Sequence, residues 1–160
     1  MKIKIIIVGK TKEKFIQQGE EEFKKRLMRY CRLQLTIVRE EKIAGNQTGQ
    51  IIKLKEAEKI LNKLSKDSFT IALDETGDQM SSEQFAEFFQ HKMNEGVREL
   101  TFIIGGALGL DSRILKGAKK TMSLSRMTFT HEMSRLILLE QLYRAFTILK
   151  GEKYHKGLGN

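Results

Sequence analysis

Two stretches in the last third of the chain hold the residues whose types and spacing could do chemistry. The first, LTFIIGGALGLD, covers residues 100–111. Its apolar run stops at Gly105 and Gly106, where a ligand can approach the main chain with no Cβ in the way. The second, SLSRMTFTHEMSRLILLEQLYRAFTILKGEKYH, covers residues 123–155. It starts as a short strand, passes Thr128, Thr130 and His131, and becomes a long helix. Two strand ends with small or polar residues, beside a helix N-terminus, form a ligand site in a parallel sheet. A turn that needs positive φ would also select glycine, so spacing alone leaves both readings of Gly105 and Gly106 open.

Several familiar chemistries do not fit these residues. GGALG departs from the G-x-G-x-x-G dinucleotide pattern, and no Gly-Lys-Ser/Thr phosphate loop occurs. No G-x-S-x-G elbow supports a serine hydrolase. Cys31 stands alone and reads as a small buried apolar residue. His91, His131 and His155 lack metal-ligand spacing, so no metal is expected. His131 sits where a helix begins, and the helix dipole there disfavours its cationic form. Its neutral imidazole could accept or donate a hydrogen bond, or simply pack at the surface.

Arg135 and Arg144 are too far apart on the last helix to share one narrow face. Arg144, inside the apolar run LYRAF, either snorkels or anchors a carboxylate or phosphate. Tyr154, His155 and Lys156 offer an aromatic ring, an imidazole and an ammonium. Such a tail could stack on a base and touch a phosphate, or fray.

The elements that must position these groups alternate strand and helix. Strands are expected at Ile3–Val8, Leu33–Val38, Phe69–Leu73, Leu100–Ile104 and near Thr121–Phe129. A first helix, from about Thr11 to Cys31, carries Phe15, Ile16, Phe23, Leu27 and Tyr30 as its apolar stripe. A second carries Leu54, Ala57, Leu61 and Leu64. Asp74 to Asp78 reads as a turn. Ser81 and Gln84 form a capping box for a helix with Phe85, Phe88, Phe89 and Met93 on one face, ended by Gly96. Asp111 can cap a short helix, and the last helix runs from about His131 to Lys150. This order predicts an α/β fold, a mostly parallel sheet with helices on both faces, in a single domain over 1–160.

Composition narrows the partners. The chain has 160 residues, 40% hydrophobic and 31% charged, with a net charge of +9. No apolar run reaches a membrane span. The MKIKIIIVGK start lacks the apolar core and cleavage site of a signal peptide. One cysteine excludes an internal disulfide and fits a reducing compartment. The positive excess gathers at residues 113–156, where Arg113, Lys116, Lys119, Lys120, Arg126, Arg135, Arg144, Lys150, Lys153 and Lys156 face only Glu132, Glu140 and Glu152. Phosphate polyanions are the natural partner of such a field.

Together the LDETG turn, the IGGALGL loop and the run from Ser123 to His155 resemble the SPOUT-class methyltransferases. Within that class the chain is similar to the bacterial branch that methylates N3 of a pseudouridine in large-subunit (23S) ribosomal RNA. The resemblance implies an α/β SPOUT fold with a C-terminal trefoil knot. It also implies S-adenosylmethionine as methyl donor, a cytoplasmic homodimer with its active site near the subunit interface, and action on the assembled ribosome. Carried over by position, Leu73 lines the cofactor pocket and Gly105 admits the methionine or ribose part. Leu124, Ser125, Arg126, Met127, Thr128 and Phe129 form the loop around the adenine. His131, Arg135, Arg144, Tyr154 and His155 fall at the catalytic, RNA-facing positions. Thr130 departs from the pattern, which has proline there; threonine can cap the helix instead. The alternative from charge alone is a non-catalytic RNA-binding or ribosome-associated module.

Overall fold

Alternation makes the first strand two-faced. Ile3, Ile5 and Ile7 point into one apolar layer, Ile6 and Val8 into the other. A strand buried on both faces belongs in the middle of a parallel sheet covered by helices. The computed structural model, which describes residues 1–42 and 44–156, has that arrangement. β1 (Lys2–Val8), β2 (Arg32–Val38), β3 (Phe69–Asp78), β4 (Glu99–Ile104) and β5 (Lys120–Met122) form one sheet in the order β2-β1-β4-β3-β5. Every pairing is parallel.

Helices α1 (Lys14–Leu27), α3 (Ser82–Asn94) and α5 (His131–Leu149) cover one face. There Leu27, Phe85, Phe89, Leu138, Leu142 and Phe146 meet Ile71, Leu100 and Phe102. Helices α2 (Gly49–Leu61) and α4 (Ser112–Gly117) cover the other, through Ala57, Ile60 and Ile114. Each large side chain buried in this way contributes roughly 1.5–3 kcal/mol. α5 packs between α1 and α3, and a short 3-10 turn (Lys153–Lys156) follows it. The side chain of Lys156, the ammonium expected in the tail, lies outside the described residues.

Four expectations need correcting. α1 begins at Lys14 rather than Thr11, because the N–H groups of Lys12 and Glu13 are held by Glu132 of α5. Phe15 is 59% exposed: neighbours on a helix point about 100° apart, and Ile16 takes the inward position. On α2 the buried face is Ile52, Glu56, Ala57 and Ile60, leaving Leu54 and Leu61 exposed. β5 stops at Met122 because hydrogen bonds from Ser123 Oγ to the Ser125 carbonyl and from Met127 N to Ser125 Oγ curl the chain into a loop.

The expected turn at residues 74–78 is instead an excursion within β3. Met122 pairs with both Leu73 and Asp78, so residues 74–77 loop around it. The Ser123 N–H donates to the Asp78 carbonyl at 2.9 Å. A Cβ on Gly77 would stand 2.6 Å from the backbone of Met122, so only glycine fits this crossing. The capping box forms as expected, with Ser81 and Gln84 each bonding the other's backbone.

Candidate functional site

All five strands run the same way, so the ends of β3, β4 and β5 share one edge of the sheet. The loops leaving them wall a cavity of about 680 Å³. Leu73 contributes from β3 and Gly105 from the β4 loop. Leu124, Ser125, Met127, Thr128 and Phe129 contribute from the loop after β5, and His131 from the start of α5. Arg126 belongs to the same loop, but its exposed side chain is not part of the lining. A second cavity of about 800 Å³ follows the β5 edge between Phe69, Phe88 and Lys120, away from these strand ends.

Gly105 is needed for a reason spacing could not show. A Cβ there would lie 2.7 Å from the Gly109 carbonyl carbon and 3.0 Å from Leu110 N. The loop closes on itself, with Gly109 N donating to the Gly106 carbonyl at 3.0 Å. A Cβ on Gly106 would meet Val8 at 3.2 Å and the Glu56 carboxylate at 3.3 Å. Both glycines let the backbone pack tightly behind the cavity wall. Positive φ is not the reason, since in this loop only Gly109 has it, at 79°.

The loop from Ser123 to Thr130 presents main chain rather than strong side-chain chemistry. Among the described residues, the N–H groups of Leu124, Ser125, Arg126, Thr128 and Phe129 donate to no protein acceptor. Unpaired amides along a cavity wall are donors for a planar heterocycle or for carboxylate and hydroxyl oxygens. Thr130 ends the loop as the N-cap of α5, its Oγ1 accepting from Met133 N at 3.2 Å.

His131 is half-buried, and burial beside the Arg135 cation pushes its pKa below the usual histidine value despite Glu132 and Glu40 nearby. The imidazole at the cavity is therefore neutral at physiological pH. Glu132 turns the other way. Burial opposes its charge, but the N–H groups of Glu13 and Lys12 and the Arg135 cation more than offset this and hold its carboxyl low.

Arg135 is only 1% exposed. It donates to the Val8 carbonyl and, at 3.0 Å, to Thr11 Oγ1, which in turn donates to Glu20 at 2.7 Å. The guanidinium points inward, where β1 ends, rather than to the surface.

Arg144, Tyr154 and His155 gather at the far end of α5. Arg144 Nε and Nη2 donate to Glu140 Oε1 at 3.0 and 2.6 Å, and the Tyr154 hydroxyl reaches the same oxygen at 3.1 Å. The Arg144 guanidinium lies 4.8 Å from the Tyr154 ring centre. His155 Nε2 is 2.7 Å from Glu83 Oε1. Arg144 stands about 20 Å along the helix from His131, at 1.5 Å per residue. None of the three lines the cavity.

Asp74, which with Leu73 forms one of the strand ends the sequence marks as a ligand edge, lines the cavity; Lys53, Glu75 and Ser134 also line it and were missed. Glu75 follows Asp74 directly, and an acidic residue at a strand end was the available signal. Lys53 and Ser134 arrive only through packing of α2 and the register of α5. No group of three or more His, Cys, Asp or Glu gathers in metal-binding geometry among the described residues.

A parallel α/β domain with a backbone-walled cavity at its strand ends is a cofactor-binding class of fold. The family model described as "Predicted SPOUT methyltransferase" matches residues 1–155. The chain belongs to the SPOUT methyltransferases. It is 48% identical over 159 residues to the "Ribosomal RNA large subunit methyltransferase H" of Halothermothrix orenii, covering 98% of this chain and 100% of that protein. The protein of the same name from Clostridioides difficile is also 48% identical over 159 residues, with the same coverage. A solved "probable methylase family protein" from Haemophilus influenzae superimposes with a TM-score of 0.56 at 15% identity, covering 95% of this chain and 69% of that one. A "Probable Methyltransferase" from Bordetella pertussis gives 0.56 at 11%, with coverage of 91% and 96%. Those two likenesses bear on fold alone.

Proposed function

We propose that this methyltransferase transfers the methyl group of S-adenosylmethionine to N3 of a pseudouridine in 23S ribosomal RNA, as a cytoplasmic homodimer acting on the assembled ribosome. The observation that carries the cofactor reading is the set of unpaired amides of Leu124, Ser125, Thr128 and Phe129 along the cavity. Such a wall suits the adenine edge and the polar ends of this ligand, and it needs no metal. The large-subunit ribosomal RNA reading rests on the names of relatives matching almost the whole chain, and the pseudouridine N3 position on the family resemblance. The net charge of +9 suits an RNA partner. The family implies a C-terminal trefoil knot.

S-adenosylmethionine, when bound, supplies an activated methyl group on a sulfonium. The chain has to hold donor and acceptor in line and help the imide N3 shed its proton. His131, neutral and at the cavity, is the described group suited to take that proton. The Arg135 network holds the start of α5 against the end of β1 and so fixes where His131 stands. Arg144, Tyr154 and His155, some 20 Å along α5 by its rise, contribute to the site of the other subunit. Arg126, exposed at the rim, contacts RNA phosphate.

Nucleoside mass spectrometry of 23S RNA from cells with and without the gene tests the reaction. Loss of one methylated pseudouridine, restored by purified protein and S-adenosylmethionine on isolated ribosomes, is the expected result. An unchanged nucleoside profile would reject this substrate.

A further inference from the structure

The cavity reverses the charge of the molecule around it. The chain as a whole carries +9, yet the cavity takes two carboxylates, Asp74 and Glu75, against the single ammonium of Lys53. His131, the remaining titratable group in the lining, is held toward its neutral form by burial and Arg135. Asp74 uses one oxygen locally: Oδ1 accepts from Thr76 N at 3.0 Å and from Thr76 Oγ1 at 2.5 Å. Its Oδ2 and the Glu75 carboxylate have no hydrogen-bond or ion-pair partner among the described residues. A surface that binds RNA gains nothing from carboxylates at the mouth of its catalytic cavity. A cationic ligand does.

Resting on the cofactor reading above, we infer that Asp74 and Glu75 make the cavity select the cationic methyl donor over its own product. S-adenosylmethionine and S-adenosylhomocysteine share the adenosine, the amino group and the carboxylate. They differ in the methyl group and in the sulfonium charge, which vanishes when the methyl leaves. Carboxylates lining the same cavity attract the sulfonium of the donor and are indifferent to the thioether. Part of the binding energy is therefore lost at the moment of transfer, which favours product release and limits product inhibition. The partly exposed setting keeps the effect modest, about threefold in affinity per carboxylate.

The test is calorimetry with both ligands on the full-length wild type, Asp74→Asn, Glu75→Gln and the double variant. Asparagine retains the Oδ1 acceptor for Thr76, so the local turn is kept, and the thermal midpoint checks the fold. The double variant should bind S-adenosylmethionine about tenfold more weakly, with S-adenosylhomocysteine changed less than about twofold. Lys53→Met should move the ratio the opposite way, toward the donor. Equal weakening of both ligands would mean that the carboxylates serve the shared amino group, and would overturn the inference alone. An unchanged ratio in the double variant would overturn it as well. A wild type that binds neither ligand would overturn the cofactor reading and this inference with it.

Discussion

Arg135 of α5 donates to the carbonyl of Val8, the last residue of β1, from 127 positions away in sequence. That bond ties the helix whose first turn carries His131 to the end of a central strand. Around it, Thr11 bridges Arg135 to Glu20, and Glu132 caps the backbone of Lys12 and Glu13. The cavity's helical corner is thus fastened from behind.

Replacing Arg135 by alanine removes the donor for Val8 and Thr11 and leaves Glu20 and Glu132 without their buried cation. We expect a stability loss of about 3 kcal/mol in urea denaturation. A loss below about 1 kcal/mol would show that water replaces the guanidinium at no cost.

His131 gives a pH dependence with a definite sign. Its folded pKa lies below its ordinary value of 6.5, so the unfolded chain takes up the proton first as pH falls. Its contribution is intact above that value and is lost progressively as pH falls through the interval down to the folded pKa. Urea denaturation between pH 7.5 and 5.5 should show a shallower decline for His131→Gln than for wild type. Identical slopes would place the imidazole in water.

Gly105→Ala tests the loop that closes on itself. The added methyl collides with backbone at Gly109 and Leu110, which cannot rotate away as a side chain would. A cost of about 2 kcal/mol is expected, with weaker S-adenosylmethionine binding as the wall shifts. Unchanged affinity measured by calorimetry would separate this loop from the ligand.

Thr130 caps α5 with φ of −61° and ψ of 152°, a conformation open to proline. Thr130→Ala should cost about 1 kcal/mol through the lost cap. Thr130→Pro should be nearly neutral, because a stiffer unfolded chain offsets the missing hydroxyl. Thermal unfolding of the pair decides, and a proline variant less stable than the alanine one would contradict this account.

In the proposed homodimer, the distance between His131 and Arg144 predicts complementation between subunits. Arg144→Ala and Thr128→Arg homodimers should each be inactive. A randomised mixture should recover about a quarter of wild-type methylation, since half the dimers carry one intact site of two. No recovery in mixed dimers would place both residues in one subunit's site.

The sequence alone determined the order of elements, the parallel sheet and the two segments that wall the cavity. Local physics governs those features: β-branched alternation in β1, the Ser81–Gln84 box and the helix cap at Asp111 are read from neighbours a few residues apart. Leu73 and the loop from Leu124 to Phe129 were legible through resemblance, because long motifs carry site positions that composition does not.

Only the tertiary structure decided which groups share a site. It separated Arg135, buried against Val8, from Arg144 and Tyr154, which meet at Glu140 farther along α5. It brought Lys53 and Asp74 to one cavity from different elements, and it showed that Gly105 serves backbone packing. It also broke β5 at Met122, where a pattern of alternating residues continued. These outcomes depend on pairings between distant parts of the chain, whose free energy comes from burial and hydrogen bonds that no local window contains.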